Sequence, residues 1–121
     1  MNEHFIIELV VKKYSYQDDY DRPSVYPLFA IANKFKRPEE RIVALLYQIE
    51  LNTNTDICEF ENLVNQETME ALYAITMNRD ESYVDYITRA AKNDIARRVL
   101  IESTNDPKVK IYMEHGGIFQ E

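Results

Sequence analysis

The chain has 121 residues, 45% hydrophobic and 29% charged, with 21 acids against 14 bases for a formal net charge of −7. That length suits one domain burying roughly two-thirds of its unfolded surface, and the acidic balance argues against non-specific nucleic-acid binding, which requires a basic face. The single cysteine, Cys58, excludes an internal disulfide and a cysteine-based zinc site, and no stretch approaches the ~20 apolar residues of a membrane span.

In chain order, Phe5, Ile6, Leu9 and Val10 recur at helical intervals and predict a first helix over residues 3 to 14. The apolar patch here is short and carries Glu3 and Glu8, so no signal peptide is expected and the cytoplasm is the expected location. Residues 15 to 24 (SYQDDYDRPS) are polar and predict a loop. Pro27 suits the first turn of a second helix reaching about residue 35, and Pro38 that of a third, with Glu39 and Glu40 at its positive end. This third element ends at Asn52 and Thr53 and carries the polar pair Tyr47 and Gln48 in its last turns.

Asn52 to Thr55 predict a connector, and Asp56 with Glu59 three residues on predicts a capping box for a short helix to about residue 64. Another helix spans 66 to 77, with Met69, Leu72, Tyr73, Ile75 and Thr76 as its apolar side. Ser82 is the expected cap of a helix to Lys92, and Asp94 of one to about Ser103. Asp106-Pro107 opens a last short helix, stopped at Gly116. The two glycines of the chain, Gly116 and Gly117, are too few for a turn-dense β fold. The expectation is an all-α domain of six to eight helices.

Three stretches also resemble a known family. EERIVALLYQIELNT (39–53) is similar to the EERIVALLHDVVEDT of HD-domain metal-dependent phosphohydrolases, closest to small hydrolases of the alarmone ppGpp and the hydrolase domains of stringent-response enzymes. KYSYQDDYDRPSVYPLFAIA (13–32) resembles their AHxGQxDKxGxPYxxHPxxVA, one residue shorter. AITMNRDESYVDYITRAAKNDIARRVLIESTNDP (74–107) resembles ALTRxxxESYxDYIxRxxxNPxARxVKLADLxDNxDP. The resemblance spans about residues 5 to 107 and implies a single HD-like helical domain.

HD chemistry needs imidazole and carboxylate ligands converging on a divalent ion that activates water. Carried over from the family, the first His falls on Tyr14, the HD pair on Tyr47 and Gln48, the Asp of KLAD on Ser103, and the His of HP on Tyr26. The acidic pair after HD falls on Leu51 and Asn52, the KLAD lysine on Leu100, and the phosphate-facing lysine of the first loop on Tyr20. Phenol, amide and hydroxyl are poor ligands for such an ion, and Leu is none. The resemblance therefore implies a vestigial site with no catalytic residue, metal or cofactor, its cavity filled by tyrosine rings. Tyr83 and Tyr86 match a segment that borders the family's nucleotide pocket and are its expected rim.

Other candidates have a plainer reading. Asp18, Asp19 and Asp21 match no calcium-loop spacing and are expected to be a solvated acidic loop. His4 and His115 lie at opposite ends, and Cys58 is expected to be a small buried residue with no histidine beside it. Arg89, Lys92, Arg97 and Arg98 form the one local basic stretch, expected on a solvated helix face. Nine tyrosines exceed the needs of such a core, and exposed tyrosine favours protein interfaces. The functional expectation is an inactive binding protein or regulatory pseudoenzyme acting on a protein partner or as a homodimer, with metal-independent nucleotide sensing as the first alternative and residual nucleotide phosphohydrolase activity as the second.

Overall fold

The structure, a computed structural model, describes residues 1–15 and 24–117. Among these there is no strand. Eight α-helical segments are present: α1 Glu3–Ser15, α2 Tyr26–Ala32, α3 Pro38–Leu46, α4 Ile49–Asn52, α5 Gln66–Ile75, α6 Tyr83–Ala91, α7 Asp94–Ser103 and α8 Pro107–Glu114, with a 3-10 turn at Ile57–Phe60 between α4 and α5. The all-α expectation holds, and no helix among the described residues is long and apolar enough to cross a membrane.

Helix α3 is the centre. Its run Ile42 to Leu46 is buried on every side, and it packs against α1, α2, α5 and α7. A helix apolar all round belongs inside, and each large side chain there contributes about 1.5–3 kcal/mol by leaving water. Glu40 is also buried, and its carboxylate accepts from Arg98 Nε of α7 at 2.7 Å. That pair fastens the start of α3 to α7.

Local chemistry explains most boundaries. Asp56 accepts from Cys58 N–H while Glu59 accepts from Asp56 N–H, so the capping box forms around a single 3-10 turn. Ser82 caps α6 through Asp85 N–H, and Asp106 caps α8 through Lys108 N–H. At the far end of α8, Gly116 and Gly117 take φ of 71° and 80°. Their amides close onto the carbonyls of Met113 and Tyr112, the paired bonds of a Schellman stop.

Four expectations are corrected. The cap of α7 is Asn93, which accepts from Ala96 N–H, and Asp94 is instead its first helical residue. Tyr73 is exposed rather than on the packed side of α5, where Thr68 and Ala71 are fully buried in its stead; its hydroxyl donates to Glu61 at 2.6 Å. Cys58 is exposed, because a 3-10 turn this short buries only Ile57 and Phe60. Finally, the third element is not one helix: it stops at Leu46 and resumes at Ile49.

Candidate functional site

The break between α3 and α4 falls on Tyr47 and Gln48. Tyr47 keeps helical angles as the cap of α3, but Gln48 sits at φ −112°, ψ 11°, in the sparsely populated bridge region common among site residues. Neither Gly nor Pro marks the spot. The turn swings both side chains out of the buried register of α3, and both are half-buried.

Several expected positions meet here. Tyr14, in the last turn of α1, is 3% exposed. Its hydroxyl accepts from Asn52 Nδ2 of α4 at 3.1 Å, and the same amide donates to Gln48 Oε1 at 3.5 Å. Burial pushes the Tyr14 phenol up, against the pull of the Asn52 hydrogen bond. Burial raises the Tyr47 phenol too, while the Ser103 side chain at the end of α7 pulls it back through hydrogen bonding. Electrostatic effects of Tyr47 reach both Tyr14 and Tyr86. Elements α1, α3, α4 and α7 thus deliver Tyr14, Tyr47, Gln48, Asn52 and Ser103 to one place.

Other expected positions fall elsewhere. Tyr26 opens α2 with 79% of its surface exposed and fills no cavity: as the residue before Pro27 in the first turn, it points off the bundle. Leu100 is a core residue. Tyr20 and the acids Asp18, Asp19 and Asp21 lie outside the described residues.

The tyrosines do not fill the space beside the break. A cavity of about 560 Å³ remains, lined by Tyr47, Gln48, Leu51, Thr76, Arg79 and the Tyr83–Tyr86 pair among others. The last two rings lie 6.3 Å apart at a tilt of 49°. Tyr86 donates to Ile75 O at 2.6 Å, and its phenol is pushed up to about 12, chiefly by burial and then by Tyr83. Tyr83 and Tyr86 are therefore wall residues of a space within the range of small-molecule sites.

One wall is held by Arg89. Its guanidinium donates to Glu81 through Nε and Nη2, both at 2.8 Å, and to the carbonyls of Tyr73 and Thr76 at 2.6 and 2.8 Å. These bonds hold the Glu81 carboxyl far down, to about 2. The rest of the basic stretch is also largely engaged: Arg97 donates to Asp94 and to Ala91 O, and Arg98 to Glu40.

Three further lining residues were not among the expected site positions. Arg79 makes no hydrogen bond or ion pair among the described residues. Thr76 Oγ1 is buried without a partner, and Met77 is exposed at the mouth. Thr76 and Met77 close the helix predicted over 66 to 77, and Arg79 follows in the same matched stretch, but nothing in the sequence marked any of them as lining a cavity.

The donors gathered at the break are phenols, amides and a hydroxyl, which do not fit a divalent cation. Among the described residues no three His, Cys, Asp or Glu side chains are grouped to hold one. His4 pairs with Glu8 on the exposed side of α1. The Cys58 thiol is held up by the Asp56 carboxylate beside it, the reverse of an activated nucleophile. No family model matches the chain, and no curated protein matches it.

Proposed function

We propose that this chain is a non-catalytic relative of the HD-domain phosphohydrolases that works by binding a protein partner at its former catalytic cleft. The observation that carries the reading is the bonding of Tyr14, Asn52 and Gln48 to one another at positions where the family resemblance places metal ligands. Polar groups satisfied by each other have no claim on a cation. The apolar rim supports a protein partner: Leu51, Met77 and Tyr83 line the cavity while remaining 82%, 44% and 52% exposed, and grouped exposed apolar side chains are a mark of interaction surfaces.

The test is thermal unfolding with and without millimolar manganese, beside an assay for pyrophosphate release from ppGpp. A site filled at 100-fold its Kd adds about 2.7 kcal/mol and moves Tm by several degrees. The expected result is no manganese shift and no release. Steady manganese-dependent hydrolysis overturns the reading.

A second reading, a metal-independent nucleotide sensor, is favoured by one feature: a cavity that holds both the Tyr83–Tyr86 pair and Arg79, which has no ion pair among the described residues. A Tm shift with ppGpp alone, at concentrations where manganese gives none, selects it over the first.

A further inference from the structure

The cavity at the α3–α4 break is not isolated. A second depression of about 230 Å³ lies between α6 and α8, lined by Tyr83, Val84, Ile87, Lys108, Val109 and Tyr112 among others. Tyr83 belongs to both walls, so the two hollows are neighbours across one ring. Val84, in the second, is 72% exposed. Leu51, Met77, Tyr83 and Val84 therefore make one interrupted apolar band running from one hollow into the other.

Two cations sit in this band, one in each hollow. Arg79 lines the first and Lys108 the second, and neither side chain has an ion pair among the described residues. Each hollow also holds one acid, Glu50 in the first and Asp106 in the second, and these carboxylates accept from Ile57 N–H and Lys108 N–H rather than pairing with either cation. Asp80 and Asp85 line neither. Lys13, Lys34, Arg37, Arg41, Arg89, Arg97 and Arg98 are paired with acids; of the described bases without an ion pair, Arg79 and Lys108 are the two that line these joined hollows. Arg79 and Lys108 are therefore open to a carboxylate from outside, each in a hollow that carries exposed apolar surface.

We propose that this band docks an acidic, amphipathic peptide segment of another protein. A large anchor, aromatic or branched, enters the cavity beside Tyr47 and Tyr86, and a smaller aliphatic one enters the hollow beside Val84 and Ile87. Carboxylates flanking the anchors pair with Arg79 and Lys108. Arginine suits the first contact because its fork takes a carboxylate with two parallel bonds, and anchors buried in pockets supply most of the energy of such complexes. The inference rests on the cleft being a binding surface and adds the chemistry of what binds.

The experiment is selection of a random peptide library displayed on phage against the intact chain, followed by fluorescence anisotropy on synthetic copies of the selected peptides. The expected peptides carry Asp or Glu next to Phe, Tyr, Trp or Leu. R79E and V84D each weaken them about tenfold or more, while K36E, at an exposed lysine away from the band, leaves affinity unchanged. Circular dichroism melts of each variant verify that the fold is kept. Recovery of basic or uncharged peptides, or full affinity in R79E and V84D, overturns the proposal. So does self-association in sedimentation that V84D abolishes, because the occupant is then a second copy. Manganese-dependent hydrolysis would remove the underlying non-catalytic reading, whereas loss of the acidic preference removes this inference alone.

Discussion

Arg89 does more with one side chain than any other residue near the cavity. It ties the carbonyls of Tyr73 and Thr76 at the end of α5 to Glu81 and the start of α6, and its guanidinium lies 5.9 Å from the centre of the Tyr86 ring. The Glu81 carboxyl, lowered from 4.5 to about 2, binds its proton less tightly in the folded state than in the unfolded chain. Its contribution to stability is therefore present above pH about 4.5 and is lost as pH falls toward about 2. Glu81→Gln is expected to lower the urea midpoint at neutral pH, with its gap from the parent narrowing through that window. A gap that stays constant with pH would mean the carboxylate charge plays no part. At the break, Tyr14 and Asn52 should be coupled by about 0.5–1.5 kcal/mol in a double-mutant cycle of Tyr14→Phe and Asn52→Ala. Additive losses would show that the 3.1 Å bond contributes nothing.

At the scale of elements, caps are the most direct link from sequence to structure. Ser82→Ala and Asn93→Ala should each cost about 1 kcal/mol, since each leaves an N-terminal amide unsatisfied. Asp94→Ala should cost less, because Asp94 supplies only dipole and Arg97 contacts on an exposed surface. Chemical denaturation of the three variants ranks them. The start of α6 at Ser82 and of α8 at Asp106-Pro107 was legible because a capping side chain there has one plausible helix to serve. Asn93 and Asp94 stand side by side, both good caps, and only the observed extended backbone at Asn93 separates them. The break at Tyr47 and Gln48 had no local signal: the apolar run passes through it without Gly or Pro, and tertiary packing sets where it bends. Cys58 and Tyr73 were misplaced for a related reason. Periodicity assigns a face to a long helix, but Cys58 lies in a single 3-10 turn, and Tyr73 carries a hydroxyl that Glu61 accepts at the surface. The convergence of Tyr14, Tyr47, Gln48, Asn52 and Ser103 came from family resemblance rather than patterning. Of the cavity beside them, the Tyr83–Tyr86 wall came from the same resemblance, and Arg79 came from neither.

For the molecule as a whole, the question is whether the scaffold still converges those positions as a metal site would. Tyr14 on α1, Tyr47 and Gln48 at the break, and Ser103 on α7 come from separate stretches of chain, held together by packing around α3. If the proposed kinship is right, Tyr14→His, Tyr47→His, Gln48→Asp and Ser103→Asp made together rebuild a two-imidazole, two-carboxylate set suited to manganese. Without metal the combined variant should be less stable than the parent, because buried carboxylates without partners are costly. With millimolar manganese its Tm should rise by several degrees while the parent's does not move, since a cation that binds only the folded state shifts the equilibrium by mass action. Single replacements should gain little, because one added ligand leaves the cation mostly hydrated. No hydrolysis of ppGpp is expected of the combined variant, as Leu51 and Leu100 still occupy the positions where the resemblance places an acid and a lysine. A folded combined variant indifferent to manganese would mean that these side chains meet for packing alone, and the kinship with metal-dependent phosphohydrolases would lose its main structural support.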